Sequence, residues 1–287
     1  MVTSVASKVS IQEQVLSLLD QLPPFSPVLN RVLATLANEE ASLGQLTGLI
    51  ETDSVLTGNI LKVVNSPLYG RRATINSVRY AAALLGTVKI RNLVLGLSIS
   101  RRWAGVAVPM RWSPRQFNLH SLACAVLSDL LALESPVPYP EGAFVAGLLH
   151  DVGKLLIAIA APQEIGQLLD RRAKADCNIQ ECERELVGVT HSGISGLVLE
   201  KWNLPAPIRR AALTHHCPDT ANEGHLHLAH VVQTADWFAN QGAAPSPYAS
   251  SLDETSQASL QQFGLLDQLE KVKENFQKEF EALHSVL

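Results

Sequence analysis

The amino-acid sequence predicts an all-α protein, on three observations. Apolar residues recur at spacings of three and four along most of the chain. Ser, Asp and Pro stand where helices start, and Gly and Pro where they stop. No stretch sustains period-two alternation bounded by turns. In order, Ser26-Pro27 supplies an N-cap and a proline at the first helical position, ahead of Val28, Val32, Leu33 and Leu36. Ser42 and Gln45 fit a capping box. Asp53 caps a helix over 55–64, which ends at Asn65-Ser66-Pro67 because proline cannot continue it. A helix over 77–85 stops at Gly86, and Thr87 caps the next one. These two admit a helix-turn-helix reading, but 81–85 and 93–97 are too apolar for a groove-reading surface, so two packed core helices are predicted.

A break over 101–112, with Gly105 and Pro109, sets a subdomain boundary near residue 108. Ser113-Pro114 restarts a long helix to about Glu134, and Pro136, Pro138 and Pro140 form a stiff loop. One apolar helix is then expected from near Glu141 to just before Pro162, followed by helices over 163–175, 178–187, 190–202, 206–214, 225–240 and 264–286. The last is amphipathic: Leu269, Val272, Phe276, Phe280, Leu283 and Leu287 form one apolar stripe that needs cover, either the protein's own body or a partner such as a second copy in a homodimer. The predicted organisation is an N-terminal subdomain over 1–108, a second over 109–245 and a C-terminal extension over 246–287.

Composition narrows the function classes. Charged residues make up only 17% against 47% hydrophobic, which excludes a disordered chain. A net charge of −4 disfavours nucleic acid as the main partner. Cys124, Cys177, Cys182 and Cys217 form no CxxC pair and read as reduced thiols. The first ten residues do not resemble a secretory signal, and no apolar run is read as reaching the roughly 18 residues of a membrane span, so the expected location is cytoplasmic with no membrane contact.

The chemistry lies in an ordered set of polar residues within apolar surroundings. His120 is followed by His150-Asp151, Lys154, His191, His215-His216 and Asp236. A buried charge or imidazole is costly unless paired or bound to a cation, so insertions on several helices point to convergence on a metal. Imidazole with carboxylate suits a divalent transition metal (Fe, Mn, Zn or Ni). Lys154, four residues after His150, shares its helical face and would set an ammonium beside the metal to meet an anionic ligand such as phosphate. Taken singly, each has a bland reading: a core or capping histidine, a helix-ending imidazole at 215–216, a snorkelling lysine at 154. His225, His227 and His230 are read as surface residues.

The chain also resembles the HDOD (HD-related output) domains of bacterial signalling proteins. The resemblance rests on Leu22-Pro23-Pro24, Asp53, Asn65-Ser66-Pro67-Leu68-Tyr69, Leu84-Leu85-Gly86 and Arg91-Asn92-Leu93-Val94. Gly147 through Lys154, with His150-Asp151 inside it, resembles the wider HD superfamily, and Trp202-Asn203-Leu204-Pro205 before His215-His216 continues the match. It implies an N-terminal helical bundle packed on an HD-like bundle. By similarity, His120, His150, Asp151 and Asp236 form a primary metal site, and His191, His215 and His216 extend it to a second ion. Lys154 corresponds to a phosphate-contacting lysine in related phosphodiesterases. The Gly-Tyr-Pro element of cyclic di-GMP phosphodiesterases is missing after His215-His216, where the chain reads Cys217-Pro218-Asp219-Thr220.

Two functions follow. The leading one is a signal-transduction module that binds a partner protein or a small phosphorylated ligand, with one or two metal ions in its pocket. The alternative is a metal-dependent phosphohydrolase or phosphodiesterase with Asp151 and Lys154 as catalytic residues, the metal activating water and Lys154 offsetting phosphoryl charge. Nucleic-acid binding has the least support.

Overall fold

The computed structural model describes residues 10–21, 27–34, 43–69, 74–104, 106–174, 178–218, 224–248 and 254–285, and among these it is helical with no strand. The first six helices are α1 (Ile11–Gln21), α2 (Pro27–Ala34), α3 (Leu43–Ile50), α4 (Ser54–Val64), α5 (Val78–Leu85) and α6 (Thr87–Ala104). Asp53 caps α4 as its sequence predicts, accepting from the backbone N–H groups of Val55 and Leu56. Asn65 then staples the connection to α5: its amide donates to Ile75 O at 2.8 Å and its Oδ1 accepts from Ile75 N at 2.8 Å. Ser77 caps α5, and Gly86 (φ 83°) ends it, as expected. Thr87 is the first helical residue of α6 rather than its cap, and α6 continues to Ala104, so the break starts later than 101. The Ser26 and Ser42 caps lie outside the described residues.

Helices α2 to α6 pack on one another, and α6 carries this bundle onto α7 (Pro114–Glu134). Ser113 caps α7 by accepting from Gln116 N, and from Phe117 to Ala132 almost every side chain is buried. This central helix is flanked by α8 (Ala143–Leu149), and the chain runs on through α9 (Val152–Ala160), α10 (Pro162–Ala173), α11 (Ile179–Leu186), α12 (His191–Lys201), α13 (Ala206–Thr214) and α14 (Leu228–Phe238). Then come α15 (Glu254–Gln262) and α16 (Leu265–His284). Neither α1 nor α15 is anticipated from the sequence. α1 precedes the N-terminal helices but packs on α9 and α12.

Three expectations need correction. The single helix over 141–161 is two, α8 and α9, with His150-Asp151 at the break between them. Pro114–Glu134 and Pro140–Ala160 do meet the length and composition of a membrane span, but 78% and 89% of their apolar windows are buried inside the protein. Their hydropathy is that of core helices. Finally, Cys182 is disulfide-bonded rather than a reduced thiol, whereas Cys124 and Cys217 are in no disulfide; Cys177 lies outside the described residues.

The described part of the α16 stripe is covered internally, with Phe280 half-buried and Leu287 outside the described residues. Leu269, Val272, Phe276 and Leu283 are buried, with α16 lying against α7 and α14. Lys89 of α6 pairs with both Asp129 of α7 (3.9 Å) and Glu279 of α16, and Lys62 donates to Ser285 O at 2.9 Å, tying the C-terminal helix to both halves.

Candidate metal centre

Helix geometry brings every predicted site residue to one place. His120 projects from the buried middle of α7, His150 and Asp151 from the α8–α9 break, and Lys154 from the first turn of α9. His191 opens α12, His215 and His216 follow the end of α13, and Asp236 lies near the end of α14. Two glycines permit the close crossings. A Cβ on Gly147 would stand 2.4 Å from Cys124 O, and one on Gly153 would stand 2.0 Å from His191 O, so only glycine lets α8 meet α7 and α9 meet α12 this closely.

The imidazoles are oriented by their outer nitrogens. A carbonyl oxygen only accepts, so Nδ1 carries the proton in His120 (to Ala244 O), His150 (to Gly147 O) and His215 (to Ala212 O), each at 2.8 Å. His191 Nδ1 meets both oxygens of the Glu183 carboxylate at 2.8 Å, and its backbone N–H donates to Glu183 Oε2 at 2.9 Å. With Nδ1 engaged, each ring turns Nε2 inward, as metal-ligating histidines do. His216 Nε2 lies 2.8 Å from His191 Nε2.

Asp151 stands between two groups of rings. Its Oδ2 is 3.3 Å from His150 Nε2, 3.6 Å from His120 Nε2 and 2.6 Å from Lys154 Nζ. Its Oδ1 is 3.4 Å from His191 Nε2 and 3.7 Å from His215 Nε2. Asp236 Oδ1 lies 3.0 Å from His120 Nε2 and accepts from Asn240 Nδ2 at 2.9 Å.

The electrostatics match ligands awaiting a cation. Burial pushes the Asp151 and Asp236 carboxyls up, yet the His150 and Lys154 charges around Asp151, and His120 and His150 against Asp236, hold both well below the usual range. Burial and the neighbouring rings push His215 down to about 3 and His216 well below its ordinary value. Ionised carboxylates and neutral imidazoles are the forms that bind metals. His150 differs: burial lowers it, but Asp151 and Asp236 outweigh burial and raise it to about 10. A proton there answers the same negative charge that a metal ion would.

The donors fit a transition metal. His215 Nε2 and Asp151 Oδ1 are buried without a hydrogen-bond partner, and His150 Nε2 and Asp151 Oδ2 are satisfied only by the ion pairs among Asp151, His150 and Lys154. So costly a set of orphaned atoms at one point has a ready explanation in coordination to an ion. The donor atoms fall into three overlapping groups: His120, Cys124, His150 and Asp236; His150, Asp151 and His215; His191, His215 and His216.

Sequence reasoning misses several contributors. Glu183 is fully buried behind His191; its one signal is its place four residues after Ile179 and beside Cys182, on the apolar face of α11. A strap over 244–248 closes the pocket, and nothing in its composition marks it. Ala244 O holds His120, Ser246 Oγ accepts from Lys154 Nζ at 3.2 Å, and Tyr248 donates to Glu183 Oε1 at 3.1 Å with its ring 5.1 Å from Lys154 Nζ. His225 is exposed as expected, but His227 and His230 are not surface residues. They form a capping box at the start of α14, where imidazole nitrogens accept from backbone N–H groups.

Known proteins share this architecture. A Geobacter sulfurreducens HDOD domain protein of unknown function superimposes with a TM-score of 0.81 at 21% identity, covering 96% of this chain and 97% of that one. A Marinobacter aquaeolei VT8 protein, provisionally named for signal transduction, gives 0.74 at 20% identity over 96% of this chain and 65% of its own. A Shewanella amazonensis SB2B protein, provisionally named a phosphohydrolase, gives 0.70 at 21% identity over 95% and 98%. An uncharacterised Treponema pallidum (strain Nichols) protein is 22% identical over 235 residues, 80% of this chain; the chain spans 44% of that relative's length. The HDOD domain family itself matches residues 22–218, which takes in the α4 cap, the Asn65 staple and the pocket as far as His216, and leaves Asp236 and the strap beyond it. With most of its length inside that match and the fold of a solved HDOD protein throughout, this chain belongs to the HDOD family.

Proposed function

We propose that this protein is a bacterial signal-transduction module. In this reading it binds a partner protein or a small phosphorylated ligand, and one or two divalent transition-metal ions sit in its HD-like pocket. It works as a helical subdomain over 1–108, a metal-holding subdomain over 109–245 and a C-terminal segment over 246–287. Enclosure of the pocket carries the regulatory reading: His120, His150, Asp151, Lys154, His191 and His215 all show 0% exposure. A hydrolase must admit a phosphate ester to its metal and let the product leave. Here the side chains that would meet the ester lie beneath the 244–248 strap, and Lys154 is engaged by Asp151 and Ser246.

One observation favours the alternative, a metal-dependent phosphohydrolase. The full donor set has an ammonium beside it, because burial lowers Lys154 but Asp151 and Asp236 outweigh burial and raise its pKa. In that reading His120, His150, Asp151 and Asp236 hold the ion, which supplies Lewis acidity. Lys154 offsets charge on the phosphoryl oxygens and Asp151 orients the attacking water.

A turnover screen separates the two. Metal-loaded protein, chelated protein and His150→Ala are offered phosphomonoesters, phosphodiesters and nucleotides. The regulatory reading expects no metal-dependent turnover above the variant; turnover that disappears in His150→Ala establishes the hydrolase. Cyclic di-GMP in particular is expected to remain intact in the presence of Mn or Fe, the Gly-Tyr-Pro element being missing after His216. Its hydrolysis by wild type but not His150→Ala would overturn that expectation.

Glu183 offers a test of the second group of ligands. Glu183→Gln keeps the shape but removes the charge behind His191, and metal retention against a competing chelator is expected to weaken about 10–100-fold. Unchanged retention would mean that His191 does not hold the ion.

A further inference from the structure

We propose that Cys124 is a thiolate ligand of this metal site, completing a His120, Cys124, His150 and Asp236 set. This deepens the metal reading above and rests on it. Cys124 lies four residues after His120 on α7, so the two side chains share a face, and both are fully buried. Its Sγ is 3.5 Å from His120 Nε2, and the donor atoms of all four residues lie within 4.8 Å of one another. A tetrahedral ion with a metal–sulfur bond of about 2.3 Å and a metal–nitrogen bond of about 2.0–2.1 Å holds those two donors roughly 3.6 Å apart. The observed separation fits two ligands on one ion.

A second feature points to the same spot. His150 Nε2 is buried, turned into this cluster by the Nδ1 bond to Gly147 O, and faces only the carboxylates of Asp151 at 3.3 Å and Asp236 at 3.7 Å, without a well-formed hydrogen bond. The close crossing of α8 on α7 is centred here too, since the Gly147 Cα faces the backbone of Cys124. The competing explanation is a packed thiol whose S–H donates weakly to His120 Nε2, and 3.5 Å suits that as well. The two differ in what happens on metal binding. As a ligand, the thiol loses its proton: the S–H bond breaks, a sulfur–metal bond forms from the same electron pair, and the proton leaves to water. A sulfur donor also tilts the site towards the softer Zn(II), Fe(II) and Co(II) and away from Mg(II) and Mn(II).

Cobalt substitution decides between them. The full chain is stripped with chelator, reconstituted with Co(II), and examined for bound cobalt and by absorption spectroscopy. The expected result is a near-ultraviolet thiolate-to-cobalt charge-transfer band that survives in Cys217→Ser and disappears in Cys124→Ser, while the visible d–d bands of bound cobalt remain in both. Bound cobalt with d–d bands but no charge-transfer band in wild type overturns the ligand assignment and leaves the metal reading intact. A charge-transfer band that persists in Cys124→Ser overturns it equally. Wild type that takes up no cobalt removes the metal reading, and this proposal with it. Should Cys124→Ser fail to fold, the Cys217→Ser spectrum decides: a charge-transfer band there supports Cys124, and cobalt bound without one overturns the assignment.

Discussion

Truncation after Phe263 is expected to leave a chain that no longer folds stably. The deleted helix α16 buries Leu265, Leu269, Val272, Phe276 and Leu283 against the body of the protein. At about 1.5–3 kcal/mol for each large apolar side chain, the gross burial is roughly 8–15 kcal/mol. That rivals the whole net stability of a typical domain, about 5–15 kcal/mol. The surface beneath is core: α16 lies on α7, whose Leu122 to Leu127 segment is almost free of solvent contact. Loss of cooperative thermal unfolding, or aggregation on expression, is the expected observation. A truncated protein with the melting temperature of wild type would show that α16 contributes nothing to the core.

Lys154→Met should be the most damaging single substitution in the pocket, and its damage should depend on metal. Lys154 has 0% exposure, and its Nζ sits 2.6 Å from Asp151 Oδ2. Removing one member of a buried ion pair leaves the other uncompensated, at a cost of about 3–5 kcal/mol. At about 2–4 °C per kcal/mol for a large domain, the chelated variant should melt roughly 6–20 °C below chelated wild type. Adding metal gives Asp151 and Asp236 another cation, so the gap should narrow when both proteins are loaded. Equal melting temperatures after chelation would mean that the ammonium is not needed to balance these carboxylates.

How much of this is legible in the sequence follows from what leaves a local mark. The Asp53 and Ser113 caps are readable because a side-chain oxygen just before an apolar run has one obvious task. The order of His and Asp is readable because charge among apolar residues is conspicuous. The break at His150-Asp151 is hidden, since Gly147 to Ile157 keeps a near-continuous apolar run on both sides and no proline marks the stop. The 244–248 strap has no periodicity to find; its role exists only through Ala244 O, Ser246 and Tyr248 reaching residues far away in the chain. Cys124 looks like an ordinary core residue until its neighbour His120 is seen to be turned inward. The internal cover of α16 is equally invisible, because a stripe tells that something covers it and not what does.

Elemental analysis tests whether these converging side chains hold a transition metal. The full chain is purified without chelator and without a metal-carrying affinity tag, beside His150→Ala combined with Asp151→Ala. Wild type should contain at least a substantial fraction of one equivalent of Fe, Mn, Zn or Ni, and the double variant essentially none. Wild type and double variant found equally free of metal would contradict the account.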